Sequence, residues 1–378
     1  MVQKIDENCG CLIEDILKEE SPKKKTTKIS KEGPKLCPVS NEDMEIFIEP
    51  DAEKISLDFY QKKLTDGLPI IPPTRQKVDK FYRYSQYKPN EIITTLNPRQ
   101  GKATIEKIAI NAVMAGCIPQ FMPIIETTIK AIGNPKFNIS GINATTHPVS
   151  ICTIINGPIR DKLDINYKTG CLGPGNLANA SIGRAIRLCL INIAGAVPGI
   201  GDHATLGSPA KYSYCFGENE EENPWNSLHL ERGFKKEDNV VTIFAVESPY
   251  NVNDHRSQTG YDILDTIIDT ISTAGCNNSH VPGELLIIMS PEHAKTIHDD
   301  GLSKLDMKEY IHKNAMVPEN LANRGGRLLD TKWIKEDMVP LTRTIDDINI
   351  VIAGGPGRHT MVAPGFGSST TSISEKIS

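Results

Sequence analysis

Continuous apolar runs alternate with segments of helical spacing from about residue 104 onwards. The runs are rich in β-branched and aliphatic residues and short enough for buried strands, which predicts strands at 151–155, Val240–Val246, Leu285–Met289 and Ile348–Ile352. Between them, apolar positions three or four residues apart predict helices at 104–132, 177–193, 261–272 and 291–298. Pro119 and Pro123 are expected to divide the first of these helices in two near residues 116–118.

This alternation of strands and helices predicts the fold class. Each strand is apolar throughout rather than on one side only, as in strands that are covered on both faces. We therefore predict an α/β fold with a mainly parallel sheet covered by helices. No internal repeat is visible in the sequence.

The N-terminal part has a different pattern. Apolar and polar residues alternate over 44–49, which predicts a short strand that Pro50 ends, and three prolines within 67–73 predict an extended connector. We predict three parts: a mobile arm rich in Lys and Glu at 1–36 that carries Cys9 and Cys11, a small strand segment with its Pro-rich connector at 37–74, and a large α/β domain at 75–378.

Composition excludes several classes of protein. Of the 378 residues 39% are hydrophobic, which is too many for a wholly disordered chain, and a net charge of −5 argues against a basic nucleic-acid binder. The apolar stretches at 108–125 and 188–201 are interrupted or short, so we predict no membrane span. No signal peptide is visible at Met1, and we predict a cytoplasmic protein with a small-molecule partner. A homo-oligomer is left open.

Two glycine-rich loops are candidate ligand sites. The loop 170–176 precedes a helix, and the loop 353–359 follows a strand, positions at which backbone N–H groups can approach an anion. Either loop could also be a simple tight turn, since neither spacing matches a known phosphate-binding motif. The candidate ligand-binding residues are Gly173, Gly175, Asn176, Arg184, Gly354, Gly355, Gly357 and His359.

The segment 199–234 concentrates polar residues between short turns, which is typical of functional loops. It contains Asp202, Lys211 and Glu218. His203 and His229, with Glu218, could bind a metal or transfer protons, although a lone histidine is more often structural.

The nine cysteines are predicted to be free thiols, metal ligands or redox groups, because a cytoplasmic chain rarely keeps disulfides. One of them opens a motif. The segment 37–51, Cys-Pro-Val-Ser-Asn-Glu-Asp-Met-Glu-Ile-Phe-Ile-Glu-Pro-Asp, resembles the organomercurial (alkylmercury, MerB-like) lyases, in which a Cys-Pro-Val-Thr-Gly turn precedes an alternating strand that ends in Pro-Asp.

The resemblance implies a catalytic site built on thiolates. That family has a catalytic Cys upstream of the turn and an Asp three residues after it. Here Cys11 lies upstream, but Glu14 stands where the Asp belongs and Asp15 comes one residue late. Cys9 and Cys11 would hold a soft metal, and Asp15 or Glu14 would carry the proton to carbon. The second thiolate would come from Cys9, or from the large domain, where Cys117, Cys171 and Cys215 are candidates.

Segments of the large domain and of the connector resemble a different family. The segments 67–74 and 176–187 and the Ala-Gly-Gly-Pro-Gly loop are similar to a poorly characterised bacterial and archaeal family, often described beside selenocysteine- or cysteine-rich proteins. That resemblance implies no mechanism.

Three hypotheses follow. The first is an organometallic lyase that breaks a carbon–metal bond by thiolate-assisted protonolysis. The second is a hydrolase or lyase of a small polar metabolite, with its site in the two glycine loops and in 199–234. The third is a thiol-rich metal carrier. A soft metal ion is the one cofactor that these hypotheses imply, at Cys9, Cys11, His203 or His229.

Overall fold

The structure, a computed structural model, describes residues 51–327 and 330–378. The predicted arm and the predicted strand at 44–49 therefore lie outside the described residues. The helices are α1 Ala52–Gln61, α2 Arg75–Tyr82, α3 Ile105–Ala115, α4 Met122–Ile132, α5 Ile139–Ala144, α6 Ile159–Lys162, α7 Leu177–Cys189, α8 Leu228–Glu231, α9 Gly260–Ile271, α10 Pro291–Asp299, α11 Lys304–Asn314 and α12 Glu319–Ala322. The strands are β1 Ile92–Leu96, β2 Gly101–Thr104, β3 Ser150–Asn156, β4 Cys215–Gly217, β5 Val240–Val246, β6 Tyr250–Asn253, β7 Leu285–Met289, β8 Met316–Pro318, β9 Met338–Pro340, β10 Ile348–Ile352, β11 His359–Pro364 and β12 Ile373–Lys376.

Two four-stranded sheets form the centre of the fold. The strand order is β12-β5-β3-β4 in the first sheet and β10-β7-β11-β6 in the second. Only β3–β4 and β7–β10 pair in parallel within these sheets, and the other neighbours are antiparallel. The prediction of an α/β fold is confirmed at this coarse level, but the prediction of a mainly parallel sheet is wrong, since both sheets are mixed.

The two sheets pack face to face, with helices on both outer sides. Alternate side chains of each strand enter a core between the sheets, where Ile154 and Phe244 of the first sheet join Leu286 and Val351 of the second. The intervening side chains face helices: α3, α4 and α7 cover the first sheet, and α9, α10 and α11 cover the second. Nearly every position of β3, β5 and β7 is therefore buried, whichever way the neighbouring strands run.

The two sheets are built from two similar halves. Apart from the short helices α5, α6, α8 and α12 and the strand pair β8–β9, one half runs α4-β3-α7-β4-β5-β6 and the other runs α9-β7-α10-α11-β10-β11-β12. The last strand of each half joins the other half's sheet, because β6 pairs with β11 and β12 pairs with β5.

An approximate two-fold axis relates the two halves. By strand register Ala245 corresponds to Pro364 and Glu247 to Phe366. The Glu247 N–H donates to the Pro364 carbonyl at 2.9 Å, and the Phe366 N–H donates to the Ala245 carbonyl at 3.0 Å. The arrangement is a repeat in space that the sequence analysis did not detect.

The parallel strands of both sheets end at one edge, which we call the rim. The Asn219 N–H, just after β4, donates to the Ile352 carbonyl at the end of β10 with a distance of 2.7 Å. The loops after β4 and β10 are thereby brought side by side. Carboxyl ends of parallel strands are where open α/β sheets bind ligands, so the rim is the first place to look for a site.

Residues 51–74 pack on the large domain. Phe59 and Ile70 contact the helical core over the first sheet. The Arg184 guanidinium of α7 binds Asp66 through two nitrogens at 2.7 and 2.9 Å and also donates to the carbonyls of Leu68 and Pro69. The extended connector is therefore held by α7.

Helix α7 and the π-helical turn Leu190–Ala194 after it are together long and apolar enough to cross a membrane by length and composition. The span Leu177–Ala194 is 72% buried within the fold. This burial is typical of the core helix of a soluble protein.

Candidate functional site

The predicted glycine loop 353–359 lies at the rim against Tyr167 and Thr169, just before the other predicted loop, and lines a cavity of about 620 Å³. No residue of the loop 170–176 lines this cavity. The Gly354 N–H donates to the Tyr167 carbonyl at 2.9 Å. A Cβ on Gly355 would lie 1.9 Å from Oγ1 of Thr169, so only glycine allows the loop to approach Thr169 this closely. We call this space the rim cavity; its lining includes Thr169, Asn219, Glu221, Glu292, Lys295, Gly354 and Gly355.

This close approach predicts that alanine will lower the thermal stability at one glycine of the predicted loops and not at another. Gly355→Ala should move its loop away from Thr169 and lower the thermal stability, because its new methyl group would overlap that side chain. Gly173→Ala is the matched control, since its Cβ would be 3.4 Å from the Gly170 carbonyl oxygen, an ordinary contact. Thermal melts of both variants test this, and equal melting temperatures would contradict it.

The loop 170–176 is largely occupied with its own hydrogen bonds. Asn176 caps α7 by accepting from the Asn179 N–H at 2.9 Å, and the Gly173 N–H donates to the Gly170 carbonyl. Gly175 has φ +116° and open space around its α-carbon, so its backbone conformation is what requires glycine. Arg184, predicted as a ligand-binding residue, instead uses its donors on the connector.

The second loop is tied to its surroundings through its later residues. The Gly357 N–H donates to Oε1 of Glu292 at 2.7 Å. Arg358 donates to the carbonyls of Asp254 and Ser257. His359 then begins β11 and faces His255, away from the contacts with Thr169 and Tyr167. The loop therefore places its glycines beside the rim cavity and its histidine at a separate point.

The rim cavity is predominantly acidic. Its titratable lining includes two lysines, one histidine and four carboxylates. Three of its six charged side chains are in ion pairs, as Glu221 binds Arg160 at 3.0 Å and Lys295 binds Asp299 at 2.7 Å. Behind the loop, Glu218 is fully buried and accepts from Asn156 and from the Leu228 N–H. Burial raises the pKa of Glu218. The Glu218 carboxylate is therefore used inside the fold and is not available to a ligand in the rim cavity.

The histidines predicted as metal ligands are not brought together. His203 is exposed, whereas His229 is fully buried with its Nδ1 at 3.0 Å from Oγ of Ser227. Burial lowers the pKa of His229. Among residues 51–327 and 330–378, no group of three or more His, Cys, Asp or Glu side chains could hold a metal ion.

The cysteines of the described residues are buried and free: Cys117, Cys152, Cys171, Cys189, Cys215 and Cys276. Burial raises the pKa of Cys171 to about 11 and that of Cys117 to about 12. It also raises the pKa of Cys215. A thiol of this kind stays protonated at neutral pH and is a poor metal ligand or nucleophile. Cys9, Cys11, Glu14 and Asp15 lie outside the described residues.

Thiol labelling should distinguish the two groups of cysteines. In the native protein a charged disulfide reagent should react rapidly with at most three thiols, those of Cys9, Cys11 and Cys37, because the other six are buried. In denaturant all nine should react. Rapid native labelling of Cys171 or Cys215, identified by peptide mapping, would contradict this expectation and make them reachable thiolates.

A second cavity, of about 570 Å³, lies between α1, the end of α7 and the segment 197–212. Three cations and two carboxylates line it, and we call it the basic pocket: Lys63, Arg187, Lys211, Asp66 and Asp202. One of the carboxylates, Asp66, is already paired with Arg184. Ser208, Tyr60 and Tyr212 add hydroxyl groups to its wall.

An ion cluster forms the floor of the basic pocket. Both carboxylate oxygens of Asp202 accept from Nζ of Lys211 at 2.8 Å, and Arg187 binds the same carboxylate at 2.9 Å. Asp202 is only 5% exposed. Since an ammonium group has three N–H donors, two bonds to Asp202 leave one for an incoming anion. Two cations thus share one carboxylate, and the cluster carries a net positive charge.

Both members of the central pair have shifted pKa values. Burial lowers the pKa of Lys211, and Asp202 offsets part of that effect. Burial acts to raise the pKa of Asp202, but the hydrogen bonds from Lys211 and the charge of Arg187 outweigh it and leave the pKa lowered. A lysine with a lowered pKa beside a fixed carboxylate in a cavity is typical of sites that transfer protons.

The sequence analysis placed Asp202 and Lys211 in a functional segment but did not join them to Arg187. Arg187 lies on α7, three residues after Arg184, and the sequence therefore showed that this helix carries a second cation. The turn at 197–202 brings Asp202 back against that helix, through hydrogen bonds from the N–H groups of Gly201 and Asp202 to the Val197 carbonyl. The spacing of the three residues alone does not predict this turn.

Comparison of the chain with models of protein families, with curated proteins and with solved structures finds no match. The resemblance of 37–51 to organomercurial lyases therefore stays a prediction. The described residues form an α/β sandwich of two mixed sheets with an acidic cavity and a basic pocket, and the basic pocket holds Asp202 and Lys211, whose pKa values are both lowered.

Proposed function

We propose that the chain is an enzyme, a hydrolase or lyase, that acts on a small organic anion in the basic pocket. The observation that supports this most is the Arg187–Asp202–Lys211 cluster on the wall of a cavity large enough for a metabolite. Lys211 would bind the anion and transfer the proton, and Asp202 would hold its position. Arg187 would balance the charge of Asp202, which leaves the charge of Lys211 for an incoming carboxylate or phosphate.

The chemistry follows from the two protonation states of Lys211. In an elimination the neutral amine would remove a proton from carbon, the bond to the leaving group would break, and the resulting ammonium would return that proton to the leaving group. In a hydrolysis the same amine would take a proton from water, the water oxygen would bond to the substrate's electrophilic atom as the bond to the leaving group breaks, and the ammonium would return the proton to the leaving group. The lowered pKa of Lys211 makes the neutral amine more accessible in both cases.

The organomercurial lyase and the metal carrier are separate hypotheses about residues 1–50. The six buried thiols supply no thiolate for either hypothesis, so the site would depend on Cys9 and Cys11. Protonolysis of a model organomercurial by wild type and Cys11→Ser tests this directly. Six free cysteines also fit our proposal of a cytoplasmic protein.

The experiment that tests the anion site is a thermal-shift screen with three panels of molecules of similar size. One panel contains mono- and dicarboxylates and phosphorylated molecules, the second neutral polyols, and the third amines. A ligand at one hundred times its Kd adds about 2.7 kcal/mol to the free energy of unfolding, which is readily measured. We expect stabilisation by members of the anionic panel alone. No anionic hit at millimolar concentration, or stabilisation by amines instead, would overturn the proposal.

A further inference from the structure

Two exposed histidines meet at the rim, at the end of the loop whose glycines line the rim cavity. His359 is the first residue of β11, and His255 follows β6 two residues after Asn253, the strand partner of His359. Their Nε2 atoms are 3.1 Å apart. We propose that His255 and His359 bind a divalent transition-metal ion of borderline softness, such as Ni²⁺, Cu²⁺ or Zn²⁺, through these two nitrogens.

The separation of the two nitrogens fits a shared ion. Two imidazole nitrogens bound to one tetrahedral ion at the usual bond length lie about 3.3 Å apart. The pair would have to open by only a few tenths of an ångström. The ring centroids are 4.7 Å apart, less than the roughly 5.4 Å of a head-on approach, so the rings are inclined to the N–N line. Imidazoles that share one ion are inclined in the same general way.

A neighbouring side chain sets the tautomer that a metal needs. Nδ1 of His359 lies 3.0 Å from Oδ1 of Asn251, an acceptor, so Nδ1 carries the proton and donates it. The lone pair of His359 is then on Nε2 and accepts from Nε2–H of His255, so metal binding would require that proton to move to Nδ1 of His255. Metal-binding histidines are usually held in this way by a hydrogen bond from the second ring nitrogen.

The backbone that carries the pair is fixed on both sides. The Ser290 N–H donates to the His359 carbonyl at 3.2 Å. On the other side, the Asp254 carboxylate accepts from the N–H groups of Arg256 and Ser257, which fixes the turn containing His255. Nε2 of the buried His293 donates to the Asp254 carbonyl, its Nδ1 accepts from the Thr360 hydroxyl, and the ring so connects the two strands. Ion binding would therefore need no rearrangement of the chain.

The site would be open rather than closed. No third His, Cys, Asp or Glu of the described residues completes a cluster around the pair, so water or a bound molecule would supply the remaining ligands. Imidazole nitrogen suits Zn²⁺, Cu²⁺ and Ni²⁺ and not Mg²⁺ or Ca²⁺. An open position is typical of metal ions that exchange or bind substrate, whereas structural zinc sites are closed.

The test is a titration of the full-length chain with Ni²⁺ and Cu²⁺, in a Cys9→Ser/Cys11→Ser/Cys37→Ser background that removes the thiols outside the described residues. The variants are His255→Ala, His359→Ala and the double variant, with His203→Ala, another exposed histidine, as matched control. We expect each single variant to lose at least ten-fold in affinity and the double variant to lose no more. The Cu²⁺ EPR spectrum of the parent should show coupling to two nitrogens.

Other results would overturn the proposal. If either single variant keeps the parent's affinity, the two histidines do not share an ion. If His203→Ala loses as much as His255→Ala, binding is a general property of surface histidines. Circular dichroism and the melting temperature establish that each variant is folded, and both histidines are exposed, so their removal should leave the stability within about 0.5 kcal/mol.

Discussion

Lys211→Met should remove most of the activity at the basic pocket. Methionine keeps the length and the apolar stem of the lysine side chain, but it offers neither a charge nor a proton. Loss of a positioned acid–base group typically lowers turnover by about 100- to 10,000-fold. Loss of a hydrogen bond to a charged group costs about 1.5–3 kcal/mol, so the affinity for the anion should fall at least ten-fold. Calorimetry with the best hit of the anionic panel and a turnover assay measure the two effects.

Two further variants separate binding from proton transfer. Lys211→Arg keeps a positive charge but cannot give up its proton, so it should retain part of the affinity and lose the turnover. Lys130→Met removes an exposed lysine of α4 that lines neither cavity and is the control for a general loss of charge. Equal turnover in wild type and Lys211→Arg would refute the proton-transfer role, and full affinity in Lys211→Met would refute the anion site.

The central strands could be predicted from the sequence because their apolar runs are short and uninterrupted. The predicted bounds of β5, β7 and β10 agree with the structure, and the helix break at Gly116 falls where it was expected, with φ +90° at that glycine. Strand direction could not be predicted in this way. A continuous apolar run indicates only that both faces of a strand are covered, here by helices on one side and by a second sheet on the other. It does not indicate the direction in which the neighbouring strands run.

The repeat of the two halves could not be predicted from the sequence, because corresponding positions carry different side chains. Corresponding positions such as Val246 and Gly365, or Glu247 and Phe366, share a place in the sheet but no side-chain chemistry. Register depends on the alternation of buried faces and on backbone hydrogen bonds, and many sequences satisfy both. Each half also gives its last strand to the other sheet, so sheet neighbours are distant along the chain.

The candidate site was predictable in its parts but not in its assembly. The two glycine loops and the segment 199–234 were expected to carry function, and the structure places Gly355 of the second loop against Thr169, the residue before the first. The sequence could not show that the loops use their N–H donors within the first loop and on Tyr167 and Glu292, or that Arg184 would bind the connector. Such outcomes depend on which polar groups the packing leaves without a partner.

Asp202→Asn should be among the most destabilising single changes in the large domain. It would leave Arg187 and Lys211 facing each other, each with little exposed side-chain area and no carboxylate between them. Removing one member of a buried ion pair costs about 3–5 kcal/mol. Asp58→Asn breaks an exposed pair with Lys62 and is the matched control, with an expected cost below about 1 kcal/mol. Urea unfolding of the three proteins at pH 7 measures both costs.

The pH dependence of the unfolding free energy should show that the loss of stability in Asp202→Asn comes from the charge of Asp202. The folded-state pKa of Asp202 lies below its usual value of 3.8, so its ionised form stabilises the fold above that pH, and the benefit is lost as the pH falls through the folded-state pKa. The difference in unfolding free energy between wild type and Asp202→Asn should therefore stay constant from pH 7 to about pH 5 and shrink below pH 4. Adding Lys211→Met to Asp202→Asn should recover part of the loss, because it removes one of the two opposed cations. A difference that persists undiminished at pH 2.5 would show that the shape of the Asp202 side chain, and not its charge, holds the pocket together.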